Sequence, residues 1–155
     1  MLKKKNGFTL IELIAVVVIM GIIALIATPN IVSMIDRGKR EDYLADANEF
    51  ISKATYMFKQ EKYRNDTNVF NGNKILLKDI ENINDLNDPY GGTYDNTASY
   101  VSFSQTSSGD IIVRTASIYL YSCDEDKSIC HRIGTSGSPI EEDKLTIDSV
   151  KEVET

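Results

Sequence analysis

The spacing of apolar residues changes along this chain, and each change marks a different element. Residues 8–27, FTLIELIAVVVIMGIIALIA, are almost wholly apolar, and Glu12 is their one ionisable side chain. At about 1.5 Å per residue, a helix of this length crosses a bilayer core of roughly 30 Å. Further on, Leu44, Ala47, Ile51, Ala54 and Phe58 recur at intervals of three and four, with Tyr43, Phe50 and Met57 beside them. Charged residues such as Arg37, Lys39, Arg40, Glu41, Glu49, Lys53, Lys59 and Glu61 fall on the opposite face. One wide apolar stripe at helical period predicts a single helix from about residue 8 to about residue 63, membrane-spanning first and amphipathic afterwards. Pro29 removes one helical hydrogen bond and, with Gly21, marks the expected kink; Gly38 is a further weak point.

The remainder reads differently. Residues 64–73, RNDTNVFNGN, are turn formers that stop the helix, and Asn65-Asp66-Thr67 fits the common glycosylation triplet. Residues 74–81 predict a short helix packing Ile75, Leu76 and Ile80. A second turn cluster covers 82–92, where Asp88-Pro89-Tyr90-Gly91 predicts a tight turn with proline preset and glycine free to take positive φ. Beyond it the period falls to two. Residues 100–104, 111–115, 117–122 and 129–133 predict strands of an antiparallel meander, with 134–139 a loop and 145–150 an edge strand before an acidic tail. The stripe needs a cover and the meander supplies one, so the expected class is α+β, a long helix packed by its second half on a small antiparallel sheet. The expected division is a leader at 1–7, a transmembrane helix at 8–28 and one external domain at 29–155.

Charge sharpens this picture at the N-terminus. Lys3, Lys4 and Lys5 precede the apolar run, and the positive-inside bias keeps them cytoplasmic, which puts the domain outside. A secretory signal carries its cleavage site after the apolar stretch, whereas here the small residue, Gly7, stands before it. A cut at Gly7 removes the leader, keeps the helix and leaves Phe8 with a free amine. It takes the 17 basic residues to 14 against 23 acidic ones, a net charge of −9 in place of −6. So acidic an exterior disfavours nucleic-acid binding, which depends on phosphate electrostatics. An acid inside an apolar span is costly, so Glu12 is a functional residue by default.

The run G-F-T-L-I-E-L resembles the class III signal of the type IV filament family, the type IV pilins and the pseudopilins of secretion and DNA-uptake systems. The resemblance is close over roughly the first 60 residues. It implies that a prepilin peptidase cuts between Gly7 and Phe8 and methylates the amine of Phe8. It further implies a homo-oligomeric helical filament built by an assembly ATPase and a platform membrane protein, from a cytoplasmic-membrane precursor to a surface pilus. In a bundle of staggered helices, the carboxylate of Glu12 can face the amine of a neighbour's Phe8 and fix axial register. Close approach would fall to Gly21, Ala15, Ala24 and Ala27, because lipid removes the hydrophobic drive between such helices. The resemblance adds that the helix near Pro29 can melt locally when subunits pack. It leaves three roles open: a pilus subunit for adhesion, motility or surface association; a pseudopilin; and a minor or tip pilin acting as adhesin.

Cys123 and Cys130 are the only cysteines, and in an external domain an even pair at short spacing favours a disulfide across a hairpin turn. Closing a loop of about eight residues stabilises by about 2.5 kcal/mol in the chain-entropy model. Two buried thiols are the alternative, as is a metal site with His131, which would leave zinc one ligand short. Asp88-Pro89-Tyr90-Gly91 also resembles the D-P-[WY]-G element of major pseudopilins and some Gram-positive pilins. In pseudopilins calcium can lie near such loops, which makes Asp85, Asp88 and Asp95 candidate ligands, although EF-hand spacing is absent and plain turn acids are the other reading. No cofactor is expected. The sequence holds no P-loop, and one histidine with scattered serines forms no nucleophile and base set, so no enzymatic activity is expected.

Overall fold

A computed structural model describes residues 8–64, 73–80, 83, 87–108 and 111–154. Gly7, Asp85 and the triplet Asn65-Asp66-Thr67 lie outside the described residues. The chain divides into two compact units, residues 1–38 and 39–155. One helix, α1 (Leu10–Arg64), takes up most of the first and opens the second. Within residues 1–38 the helix is continuous through Gly21 and Pro29, and among the described residues nothing buries its most apolar 18-residue window. So long an exposed oily surface is what a membrane-spanning helix presents. Proline leaves the carbonyl four residues before it without an amide donor. That carbonyl belongs to Leu25; the carbonyl beside it, of Ala24, accepts from the Thr28 hydroxyl at 2.6 Å.

The second unit contains the sheet: β1 (Lys74–Leu76), β2 (Thr93–Tyr94), β3 (Tyr100–Ser108), β4 (Ile111–Cys123), β5 (Ile129–Ile133), β6 (Ile140–Glu141) and β7 (Val150–Glu154). All pairings are antiparallel, in the order β1-β3-β4-β5-β7, with β2 and β6 also paired to β4. The 13-residue β4 is the centre, because it meets β3, β2, β5 and β6 along its length. Alternation along β4 sends Ile118, Leu120 and Ser122 to one face, together with Val101 and Phe103 of β3, Ile133 of β5 and Val150 of β7. That face covers Tyr43, Ala47, Phe50, Ile51 and Ala54 of α1, all essentially buried. Leu44, Met57 and Phe58 sit at the margin of the stripe and are partly buried, Phe58 stacking on Phe103 with ring centroids 4.4 Å apart.

Three expectations are corrected. The helix expected over residues 74–81, of which Glu81 lies outside the described residues, is replaced by a strand (Lys74–Leu76) and a short 3₁₀ turn (Leu77–Asp79): pairing Ile75 with Val101 gives β3 an edge partner, and Ile75 and Leu77 enter the core. The two strands expected at 111–115 and 117–122 are one, because Ala116 opposite Phe103 keeps the alternation unbroken. The last strand lies later than 145–150. A 3₁₀ turn at Ile147–Ser149, closed by Thr146 and Ser149, delivers Val150 opposite Ile133 and draws the acidic segment into the sheet as β7.

Candidate functional site

The N-terminal head of α1 holds the side chain that hydropathy singles out. The amide of Thr9 donates to Glu12 Oε2 at 2.8 Å, and the Thr9 hydroxyl donates to the same oxygen at 2.8 Å. In return the Glu12 amide donates to Thr9 Oγ1 at 3.3 Å, and the Leu13 amide closes the first turn on the Thr9 carbonyl at 3.2 Å. This is a capping box. The first amides of a helix have no partner within it, and the Thr-x-x-Glu pair satisfies two of them reciprocally. A carboxylate held at a helix N-terminus also meets the positive end of the helix dipole. Glu12 is thus accommodated by its own chain, in a segment with no other charge. Phe8, the residue that would carry the new amine, stands just before the cap and is 89% exposed. The signal for the cap, Thr9-Leu10-Ile11-Glu12 ahead of an apolar run, is in the sequence, yet the reading of Glu12 as a register residue alone passes over it.

Cys123 and Cys130 form a disulfide, opposite one another across β4 and β5 with Cα atoms 4.1 Å apart. The turn between them is ordered by Asp124, whose carboxylate accepts from the Ser128 amide and hydroxyl, each at 2.8 Å, and from the Ile129 amide. The Ser128 hydroxyl is the main reason the Asp124 pKa lies below its ordinary value. His131 is not beside the sulfurs in a metal set. It faces the core, where its ring stacks on Tyr90 at 3.5 Å.

That stack places the Asp88-Pro89-Tyr90-Gly91 turn. The Gly91 amide donates to the Asp88 carbonyl at 2.8 Å, and Gly91 takes φ of 89°, as the tight turn requires. Asp88 is buried; its Oδ1 accepts from the Tyr90 amide and its Oδ2 accepts no hydrogen bond among the described residues. Beneath lie two anchors from α1. Tyr43 donates to the His131 carbonyl at 3.1 Å and accepts from Ser122 Oγ at 3.2 Å, while Asp46 accepts from the Tyr94 hydroxyl at 2.6 Å. Burial pushes the pKa of Asp46 up, and the Tyr94 bond opposes it only in part. Gly92 has no room for a side chain, since a Cβ would strike the Cys123 carbonyl, so the turn is seated directly on the disulfide-bearing end of β4.

Of the calcium candidates, Asp95 is occupied by its own turn: its Oδ1 accepts from Thr97 and Ala98 amides at 3.0 and 2.9 Å and from the Thr97 hydroxyl at 2.7 Å. Burial raises its pKa, but these bonds outweigh burial and leave it below the ordinary value. Among the described residues no three His, Cys, Asp or Glu side chains gather into a group that could hold a metal ion.

A spanning-length apolar helix, self-capped at its head and followed by a small disulfide-bearing α+β domain, fits a membrane-anchored precursor. Residues 2–28 match the family model described as the prokaryotic N-terminal methylation motif, the class III signal of type IV pilins and pseudopilins. The motif supports a type IV pilin-like or pseudopilin precursor, and it implies processing by a prepilin peptidase and assembly into a membrane-associated machinery. Neither the curated proteins nor the solved structures contain a match to the chain.

Proposed function

We propose that the chain is a structural subunit of a type IV pilus: it is cut between Gly7 and Phe8, methylated on the amine of Phe8, and drawn from the membrane into a helical homo-oligomer. The observation that carries this reading is the head of α1, where the matched motif coincides with the Thr9–Glu12 box ahead of a long exposed apolar helix. In the filament, Glu12 meets the amine of a neighbour's Phe8 and sets register, and the helices approach through Ala15, Gly21, Ala24 and Ala27. Among the described residues nothing lies within 4 Å of a Cβ placed on Gly21, which leaves that position open to a neighbour. Pro29 is where the helix bends or melts on packing. An assembly ATPase and a platform protein supply the work, and the external sheet is displayed at the cell surface for adhesion or motility.

Mass spectrometry and electron microscopy of sheared surface material test the reading. A chain beginning at methylated Phe8, abundant in long fibres, is the expected result; its absence from fibres would favour a pseudopilin or a minor subunit. Glu12→Ala should still insert into the membrane but assemble poorly. Normal fibres from that variant would refute the role given to Glu12.

A further inference from the structure

The external unit has an open pocket of about 440 Å³ beside the 134–139 turn, the Thr146–Ser149 turn and the face of β5 and β7 turned away from the core. Arg132 and Lys151 both line it, and they are direct partners in the β5–β7 register. Like charges placed opposite one another weaken a sheet. Neither forms an ion pair or a side-chain hydrogen bond among the described residues, although acidic residues outnumber basic ones by 23 to 17. The hydroxyl of Thr135, also in the lining, accepts from the Ser138 amide at 3.1 Å and so keeps its proton available to donate. One acid is present, the exposed Asp148.

We propose that this pocket binds an acidic sugar, its carboxylate against Arg132 and Lys151 and its ring hydroxyls shared between Asp148, which accepts, and Thr135, which donates. The mixed charge of the lining decides the class. A bare phosphate brings more negative charge against Asp148 and no ring hydroxyls to donate to it, and a neutral sugar brings no carboxylate for two adjacent cations, whereas a uronic acid supplies both. The volume lies in the range of small-ligand sites, roughly 300–1,000 Å³. The proposal goes beyond the filament reading and does not depend on it.

The test is a titration of the isotope-labelled full chain in detergent micelles with D-glucuronate, D-glucose and inorganic phosphate, followed by amide chemical shifts. Saturable shifts confined to the 132–151 region are expected with glucuronate, with affinity about fivefold or more above that for glucose or phosphate. Charge-assisted hydrogen bonds are worth enough that Arg132→Gln with Lys151→Gln should weaken glucuronate binding about tenfold or more. Lys151→Gln alone, at an exposed position, should give a smaller loss in the same direction should the double variant fail to fold. Asp148→Asn should weaken glucuronate binding and strengthen phosphate binding. The absence of saturable shifts, equal affinity for phosphate, or affinity unchanged in the variants would overturn the proposal.

Discussion

Tyr43 is the polar tie between α1 and the centre of the sheet, and replacing it with phenylalanine isolates what one hydroxyl contributes. The ring is fully buried, so the substitution keeps the packing against Tyr94 and Tyr90 and removes two hydrogen bonds, to the His131 carbonyl and from Ser122 Oγ. Each buried bond is worth about 1 kcal/mol net, and Ser122 is itself fully buried, so its hydroxyl is left without an acceptor. The expected loss is about 2 kcal/mol, or a fall in Tm of roughly 8 °C for a unit of this size. Urea and thermal unfolding of the full chain in detergent, followed by near-ultraviolet circular dichroism of the tyrosines, measures it. Adding Ser122→Ala removes the stranded hydroxyl and should recover about 1 kcal/mol. A Tyr43→Phe protein within about 0.3 kcal/mol of the parent, or a double variant that loses the sum of both changes, would refute the account of this tie.

Thr9→Val should speed amide exchange at residues 10–13 while Thr9→Ser does not, because only serine keeps the capping oxygen; equal exchange in the two variants would remove the box as an anchor of the helix head. Replacing Cys123 and Cys130 together by serine should cost about 2.5 kcal/mol in the same unfolding assay, and no change in midpoint would argue against the chain-entropy account of this bridge. Asp46 has a pKa raised by burial, so its contribution favours the fold below the ordinary carboxylate range and is lost as pH rises through the elevated value. Asp46→Asn should therefore flatten the decline in Tm across that interval, and an unchanged slope would show that Asp46 does not cause it.

What could be read from the sequence divides along physical lines. The long helix was legible because two different patterns, an unbroken apolar run and a three-to-four stripe, meet without a breaker stronger than Pro29. The hairpin of β4 and β5 was legible because alternation, a polar turn and two cysteines agree. Residues 74–80 were not, since Ile75, Leu76, Leu77 and Ile80 fit a helical turn as well as a strand, and the edge of β3 decides between them. The two-residue strands β2 and β6 exist only through pairing with β4, which no local pattern announces. At the head of the helix, Glu12 stands out as a lone charge. The cap is less visible because the letters that encode it also form the processing signal, and one role conceals the other. The seating of the Asp88 turn depends on rings that meet only in the fold, Tyr90 on His131.

The capping box has a thermodynamic consequence for the proposed filament. A carboxylate without a partner would make each docking event strongly downhill at this point and hard to undo. Glu12 instead arrives already bonded to Thr9, so contact with a neighbour's amine is an exchange of partners, and only the difference between the two states drives it. Register can then be checked at little net cost, a misaligned subunit falls back on its own threonine, and the cohesion of the fibre must reside in the oily flanks of the helix.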